Sequence, residues 1–256
     1  MPWRHTRDPY KILVSEVMLQ QTQVDRVLPF YKNFLKLFPT PSALAKAPLS
    51  KALKAWQGLG YNRRAKFLQQ AGKVIVIEHR GRFPKEVSVL EDLPGIGPYT
   101  ARAIAAFAYN DPEVFIETNI RTVFLYFCFK KKMARSDLAI GVSDKAILSL
   151  VAVALKESKL EPREFYAALM DYGSYLKKQG IKLNKQSKHY VKQSKFEGSA
   201  RQLRGAILRE LLKKPQTKAQ LTKNLSRSAK EVEQTLNVLR KEGLLKLQKG
   251  RYKVAA

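Results

Sequence analysis

Cysteine is almost missing from this chain of 256 residues: Cys128 is the only one. One thiol supports neither a disulfide framework nor a cysteine-based metal site. No window of about 18 consecutive apolar residues occurs, so no transmembrane helix is expected. The N-terminus carries no apolar signal segment, which points to a cytoplasmic setting. Acids are also scarce. Asp and Glu number 21 against 48 Lys and Arg, a net charge of +27. A surplus of that size suits a polyanionic partner, with a ribosome-associated or merely basic protein as the plain alternative. The imbalance is greatest at the end, where residues 177–256 hold 22 basic and 5 acidic side chains.

What is present centres on Leu93-Pro94-Gly95-Ile96-Gly97-Pro98-Tyr99. Two glycines two apart read as a tight hairpin that a Cβ would obstruct. Pro98 suits the first position of a helix, and Ala101, Ala103 and Ala105 let that helix pack closely. The N–H groups of Gly95 and Gly97 at a helix N-terminus form a phosphate site; otherwise the motif is an ordinary helix–turn–helix corner.

The rest reads as nearly all α. Asp8-Pro9 predicts the start of a helix over 10–22. Within it Glu16 lies among Leu13, Val14, Val17 and Met18. Such an acid is either turned to solvent or held at a raised pKa for chemistry. Further helices are expected over 24–37, 43–47, 49–57 and 65–78. Gly58-Leu59-Gly60-Tyr61-Asn62-Arg63-Arg64 is either a helix-linking loop lidded by Tyr61 or a wedge beside phosphate. After Tyr109-Asn110-Asp111-Pro112, an apolar run leads to Glu117, with Thr118 or Asn119 as the cap of a new helix. Helices over 121–129, 143–156 and 163–178 follow.

Residues 177–198 are basic and rich in Gln and Ser, either a solvated linker or a phosphate-gripping segment with Tyr190 interleaved. Residues 199–256 read as a separate module. Leu203, Ile207, Leu208, Leu211 and Leu212 make an amphipathic helix. Thr217 caps a second, and Ser228-Ala229-Lys230-Glu231 is a capping box opening a third, stopped at Gly243. Residues 244–247 and 251–254 flank a hairpin turn. Three helices and a basic hairpin describe a winged helix–turn–helix domain, with DNA favoured over protein as its partner because of charge.

Pro2-Trp3-Arg4, Asp8-Pro9-Tyr10, the run from Val14 through Glu16 and Gln20-Gln21-Thr22 to Val24, Trp56-Gln57-Gly58-Leu59-Gly60-Tyr61 and the Leu93–Gly97 motif together resemble the MutY-type adenine DNA glycosylases. These belong to the helix–hairpin–helix superfamily that includes endonuclease III, and the likeness covers residues 2–175. It implies a mainly α, two-lobed helix–hairpin–helix glycosylase fold. Residues 8–112 would form a six-helix barrel lobe, and residues 1–7 and 113–190 a second lobe. A linker over 191–198 and the winged helix over 199–256 would follow. The implied partner is double-stranded DNA with mismatched or oxidised pairs, bound across the cleft by a nucleoid-associated monomer.

The resemblance also implies roles. Glu16 matches the general acid that protonates the purine at N7, its apolar neighbours raising its pKa toward use near neutrality. Glu117 stands where the family has an aspartate that stabilises the sugar cation. Trp3, Arg4, Leu19 and Tyr99 would line the base pocket, and Gln21 and Tyr61 would fill the gap left by a flipped base. Gln20, Thr22, Arg63, Arg64, Gly95, Gly97, Asn119, Arg121, Lys188 and Lys192 complete the expected DNA contacts. The carbonyls of Glu91, Leu93 and Ile96 would coordinate a monovalent cation, K⁺ or Na⁺, once DNA is bound. Bifunctional relatives carry a lysine where this chain has Tyr99, so hydrolysis without strand cleavage is expected. The family's four-cysteine [4Fe–4S] loop and its Nudix-like domain have no counterpart here, so no cluster is expected. The lysine-rich stretch 177–198 would supply the loop's DNA contacts. Ala167 replaces the polar residue that often faces adenine. The alternatives are a glycosylase of the same fold acting on thymine or uracil opposite guanine, or a non-catalytic DNA-damage-binding protein.

Overall fold

The computed structural model describes residues 1–129, 141–188, 190 and 195–255. The expected contact Lys192 and part of the expected linker lie outside these residues. The chain divides into two compact units. The first comprises Met1–Leu13, Pro84–Asp92 and Ile96–Gln193, and the second Val14–Phe83, Leu93–Gly95 and Ser194–Ala256. This division does not follow the lobe boundaries expected at residues 8 and 112. Helix α1 (Pro9–Leu19) contributes residues to both units.

In the first unit lie α6 (Val87–Glu91), α7 (Pro98–Tyr109), α8 (Thr118–Phe124), α9 (Asp144–Ser158) and α10 (Pro162–Lys178). The small side chains of Ala101, Ala103, Ala105 and Ala106 on α7 are fully buried, as close packing requires. Phe115 stacks on Tyr166 of α10 with centroids 3.9 Å apart, and the Tyr166 hydroxyl donates to the Glu113 carbonyl at 2.7 Å. Arg163 ties the N-terminal segment down by donating to the carbonyls of Phe107, Arg4 and Thr6. Residues 183–188 are pinned through a parallel bridge between Ser187 and Val142, so this part of the basic stretch is no free linker.

Helices α8 and α10 meet at Gly173, where a Cβ would lie 2.3 Å from the Asn119 carbonyl oxygen. Backbone cannot yield as a flexible side chain does. Gly173→Ala should therefore lower stability by about 3 kcal/mol, the upper range for an overpacked core. A urea midpoint unchanged from wild type would show that the helices can part without cost.

The second unit packs α2 (Val24–Leu37), α3 (Pro41–Lys46), α4 (Leu49–Trp56) and α5 (Arg63–Ile77) around Phe34, Phe38 and Trp56. It also holds α11 (Ala200–Lys213), α12 (Lys218–Leu225), α13 (Ala229–Lys241), β1 (Leu245–Gln248) and β2 (Arg251–Val254). The strands pair antiparallel with Leu245 opposite Val254. Lys249 and Gly250, both at positive φ, turn the hairpin. Gln216, before α12, exchanges backbone hydrogen bonds with Tyr252 on the free side of β2. Reciprocal capping boxes open α12 at Thr217 and α13 at Ser228, and the second box was legible as a motif.

Three local expectations change. Helix α1 stops at Leu19, short of Thr22, because Gln21 adopts φ 53°. Helix α8 starts at Thr118, earlier than expected, because Glu117 itself is the cap. In the hairpin only Gly95 is obstructed: it sits at φ 79° and a Cβ there would lie 2.5 Å from Cβ of Phe67. Gly97 has no atom within 4 Å of the Cβ position and lies at φ −104°.

Candidate functional site

Residues 12–18 of α1 are buried without interruption, so this helix has no solvent face over two turns. Glu16 is 6 % exposed. The reading in which it turns to solvent is thereby closed. In the same unit, α1 runs into Gln20, Gln21 and Thr22, while Gly58 and Gly60, both at positive φ, present Tyr61. Tyr61 is left-handed at φ 49°, and Gln21 at φ 53° is exposed. Two non-glycine residues in that region store strain of order 1–3 kcal/mol each.

One side chain fastens both loops. Arg64 Nη1 donates to the carbonyls of Val17, Met18 and Gln20 at 2.6, 3.0 and 2.7 Å. Its Nη2 reaches the Thr22 hydroxyl and the Gly60 carbonyl, both at 3.3 Å. Burial pulls its pKa down to about 10. Arg64 was expected to contact DNA; its guanidinium instead caps the C-terminus of α1 from within. Arg63 next to it is exposed, over the Phe67 ring at 4.9 Å.

In the first unit Glu117 accepts, at one carboxylate oxygen, the N–H groups of Asn119 at 2.6 Å and Ile120 at 2.9 Å. Burial pushes its pKa up, opposed by those two N–H groups and by Lys177 and Arg121. Lys177 donates to the Asn119 side-chain oxygen at 2.6 Å, and burial lowers its own pKa. Arg121, expected on the DNA backbone, is instead held bidentately by Asp144 at 2.9 and 2.8 Å. Lys177 is a residue that sequence reasoning missed, absorbed into the basic stretch. The available signal was its spacing: Gly173 and Lys177 lie one helical turn apart and both meet Asn119.

Of the expected pocket residues, Arg4 lines one open pocket of about 360 Å³ in this unit, together with Ala167. Arg4, Arg7 and Arg163 face Glu161, Glu164 and Asp171 there, so charge is balanced rather than cationic. Arg4 donates to Asp171 at 3.2 Å. Trp3 is buried in a 3₁₀ turn and Tyr99 meets Phe115 edge-on at 5.7 Å; neither lines that pocket. Leu19 ends α1, half-buried. Lys188 is exposed. Glu91 pairs with Arg102 at 2.7 Å, and Leu93 and Ile96 are buried.

Residues 14–140 match the family described as HhH-GPD superfamily base excision DNA repair protein. The thymine/uracil-DNA glycosylase of Methanothermobacter thermautotrophicus is 30% identical over 177 residues, 68% of this chain and 76% of that protein. The chain belongs to the HhH-GPD superfamily. The adenine DNA glycosylase of Mycolicibacterium smegmatis is 41% identical over 175 residues, 68% of this HhH-GPD chain and 57% of the relative. The chain spans about half the length of the curated adenine DNA glycosylases it matches. A solved thermostable thymine-DNA glycosylase aligns with a TM-score of 0.59 at 27% identity, over 74% of this chain and 88% of that one.

The residues of this HhH-GPD protein do not fit a four-cysteine cluster. Its one cysteine is exposed in the π-helical turn Leu125–Phe129, and α10 continues past Gly173 to Lys178 where the cluster loop would begin. Among the described residues no group of three His, Cys, Asp or Glu is placed to hold a metal. No described helix is long and apolar enough to cross a membrane.

Proposed function

We propose that this HhH-GPD protein is a monofunctional DNA glycosylase that hydrolyses the N-glycosidic bond of a flipped adenine opposite guanine or 8-oxoguanine. The observation that carries this reading is the buried Glu16, an acid with no solvent face on a wholly buried helix segment. Glu16 delivers a proton to the leaving purine, and Glu117 offsets the positive charge that develops on the sugar. Glu117 acts from a fixed position, because two backbone N–H groups hold one of its oxygens. Tyr61 and Gln21 fill the space the adenine vacates. The N–H at Gly97 and the start of α7 receive a phosphate. The left-handed turn at Gly95 suits a monovalent cation on the carbonyls of Glu91, Leu93 and Ile96, which would neutralise that phosphate. Tyr99 offers no amine for a Schiff base, so the strand stays intact. The protein acts as a monomer on duplex DNA.

A single-turnover assay on duplexes carrying A:8-oxoguanine, A:G, T:G and U:G tests the reading, with alkali to reveal abasic sites. Cleavage of the adenine strand is expected. Cleavage only at T or U would favour the second reading, which the Methanothermobacter relative supports and to which the apolar Ala167 is no obstacle.

The winged helix adds affinity through its hairpin. Lys246 stands directly opposite Lys253, and Lys249 and Arg251 are exposed beside them. Like charges across a ladder destabilise it, an arrangement that suits a phosphate backbone. Helix α13 is less suited, because Glu231 and Glu233 stand exposed near its start. Replacing Lys246, Lys249 and Arg251 together by Ala should reduce the slope of log K against log salt by about 2–3, at ~0.9 per phosphate contact. An unchanged slope would assign the hairpin to a protein partner.

A further inference from the structure

The C-terminal module meets the Tyr61 loop within the second unit. Arg201, in the first turn of α11, donates through Nη1 to the Tyr61 hydroxyl at 2.9 Å, and its guanidinium lies 5.9 Å from the ring centroid. Arg64 lies 5.4 Å from the same ring centroid. A second clip fixes the approach of the module. Lys66 of α5 donates to the Glu242 carbonyl at 2.5 Å, and Arg204 holds the Glu242 carboxylate at 3.0 and 2.5 Å. Arg201 and Arg204 are three apart on one helix face, so the two contacts orient α11 together.

Neither partner in the Arg201–Tyr61 contact is where local stability would put it. A cation in the first turn opposes the helix dipole, and that turn of α11 carries no acid. Tyr61 is left-handed and 38 % exposed. We infer that Arg201 is a positioning and specificity residue for Tyr61: it holds the ring raised and brings a guanidinium to the base facing the vacated position. By this route the C-terminal module takes part in reading the opposite strand. Arg donors match the paired acceptors O6 and N7 of guanine, whereas cytosine presents an amine donor on its major-groove edge. The inference rests on the wedge role proposed above for Tyr61.

The test uses the full chain and two readouts. One is the fluorescence of 2-aminopurine placed beside the mismatch, which rises when a wedge unstacks it and needs no chemistry. The other is single-turnover excision of adenine opposite guanine and opposite cytosine. Arg201→Ala should weaken the fluorescence rise and narrow the guanine-over-cytosine preference about tenfold, as loss of one bidentate base contact does. Arg201→Lys, which keeps the charge without the fork, should recover only part of it. In a Tyr61→Phe background, which lacks the shared hydrogen bond, Arg201→Ala should cost at least threefold less than in wild type. A uniform loss of affinity for every duplex with preference unchanged would overturn the inference, as would full additivity with Tyr61→Phe. A wild-type protein that excises nothing but gives an Arg201-dependent fluorescence rise would sink the glycosylase reading and leave the inference standing. Excision by wild type with Arg201→Ala indistinguishable from it in both readouts would sink the inference alone.

Discussion

Glu16→Gln is expected to slow excision by about 10³-fold, within the range for loss of a general acid, and to leave duplex affinity within a factor of about two. Glutamine matches glutamate in shape and keeps an acceptor oxygen, so the buried surroundings on α1 stay filled. What it loses is the proton. A purine anion is a poor leaving group until a ring nitrogen is protonated, so the loss falls on the transition state rather than on binding. Single-turnover rates and fluorescence anisotropy on the same duplex separate the two quantities. Equal losses in rate and affinity would make Glu16 a structural residue.

Glu117→Gln should cost about 10²-fold in excision and at the same time raise thermal stability at neutral pH. The second effect follows from linkage. Burial raises the folded-state pKa of Glu117 above its unfolded value, near 4.5. Between those two values the folded protein holds a proton that the unfolded chain has released. Stability therefore falls as pH rises through that window, and the loss is complete above the folded pKa. Glutamine has no proton to lose and still accepts the N–H groups of Asn119 and Ile120. The melting temperatures of the two proteins should converge below pH 4.5 and separate above it, the variant higher. A variant less stable at pH 7 would mean that attraction to Lys177 and Arg121 outweighs burial. A stability cost of this kind would suit the role proposed above for Glu117 beside a sugar cation.

Local chemistry made much of this fold legible. The apolar period of α2 gives its bounds, residues 24–37, because one face packs Val27, Tyr31 and Phe34. Ser228 and Glu231 announce α13 because a capping box is complete within four residues. Glu16 was legible as an acid in an apolar setting, though only the packing of neighbouring elements decides between core and solvent. Illegible were the partnerships between distant residues. Arg121 finds Asp144 23 positions away, Lys177 finds Asn119 58 positions away, and Arg201 finds Tyr61 140 positions away. No local period encodes such pairs. Arg64 reads as a phosphate ligand until the end of α1 is seen to consume its donors. Basic residues in a chain of net +27 are poor guides to where DNA lies, since several of them work as internal fasteners.

Helix α1 bears on how the protein breathes. Its middle is buried on every side, and its residues are divided between both compact units. With residues 12–18 all buried, their amides should exchange hydrogen at close to the global unfolding rate. The segment carrying Glu16 is then among the last parts of the molecule to loosen. On the mechanism proposed above, a proton donor mounted there does not travel: the nucleotide makes the journey, and the distance it swings is set by an anchor that stays still.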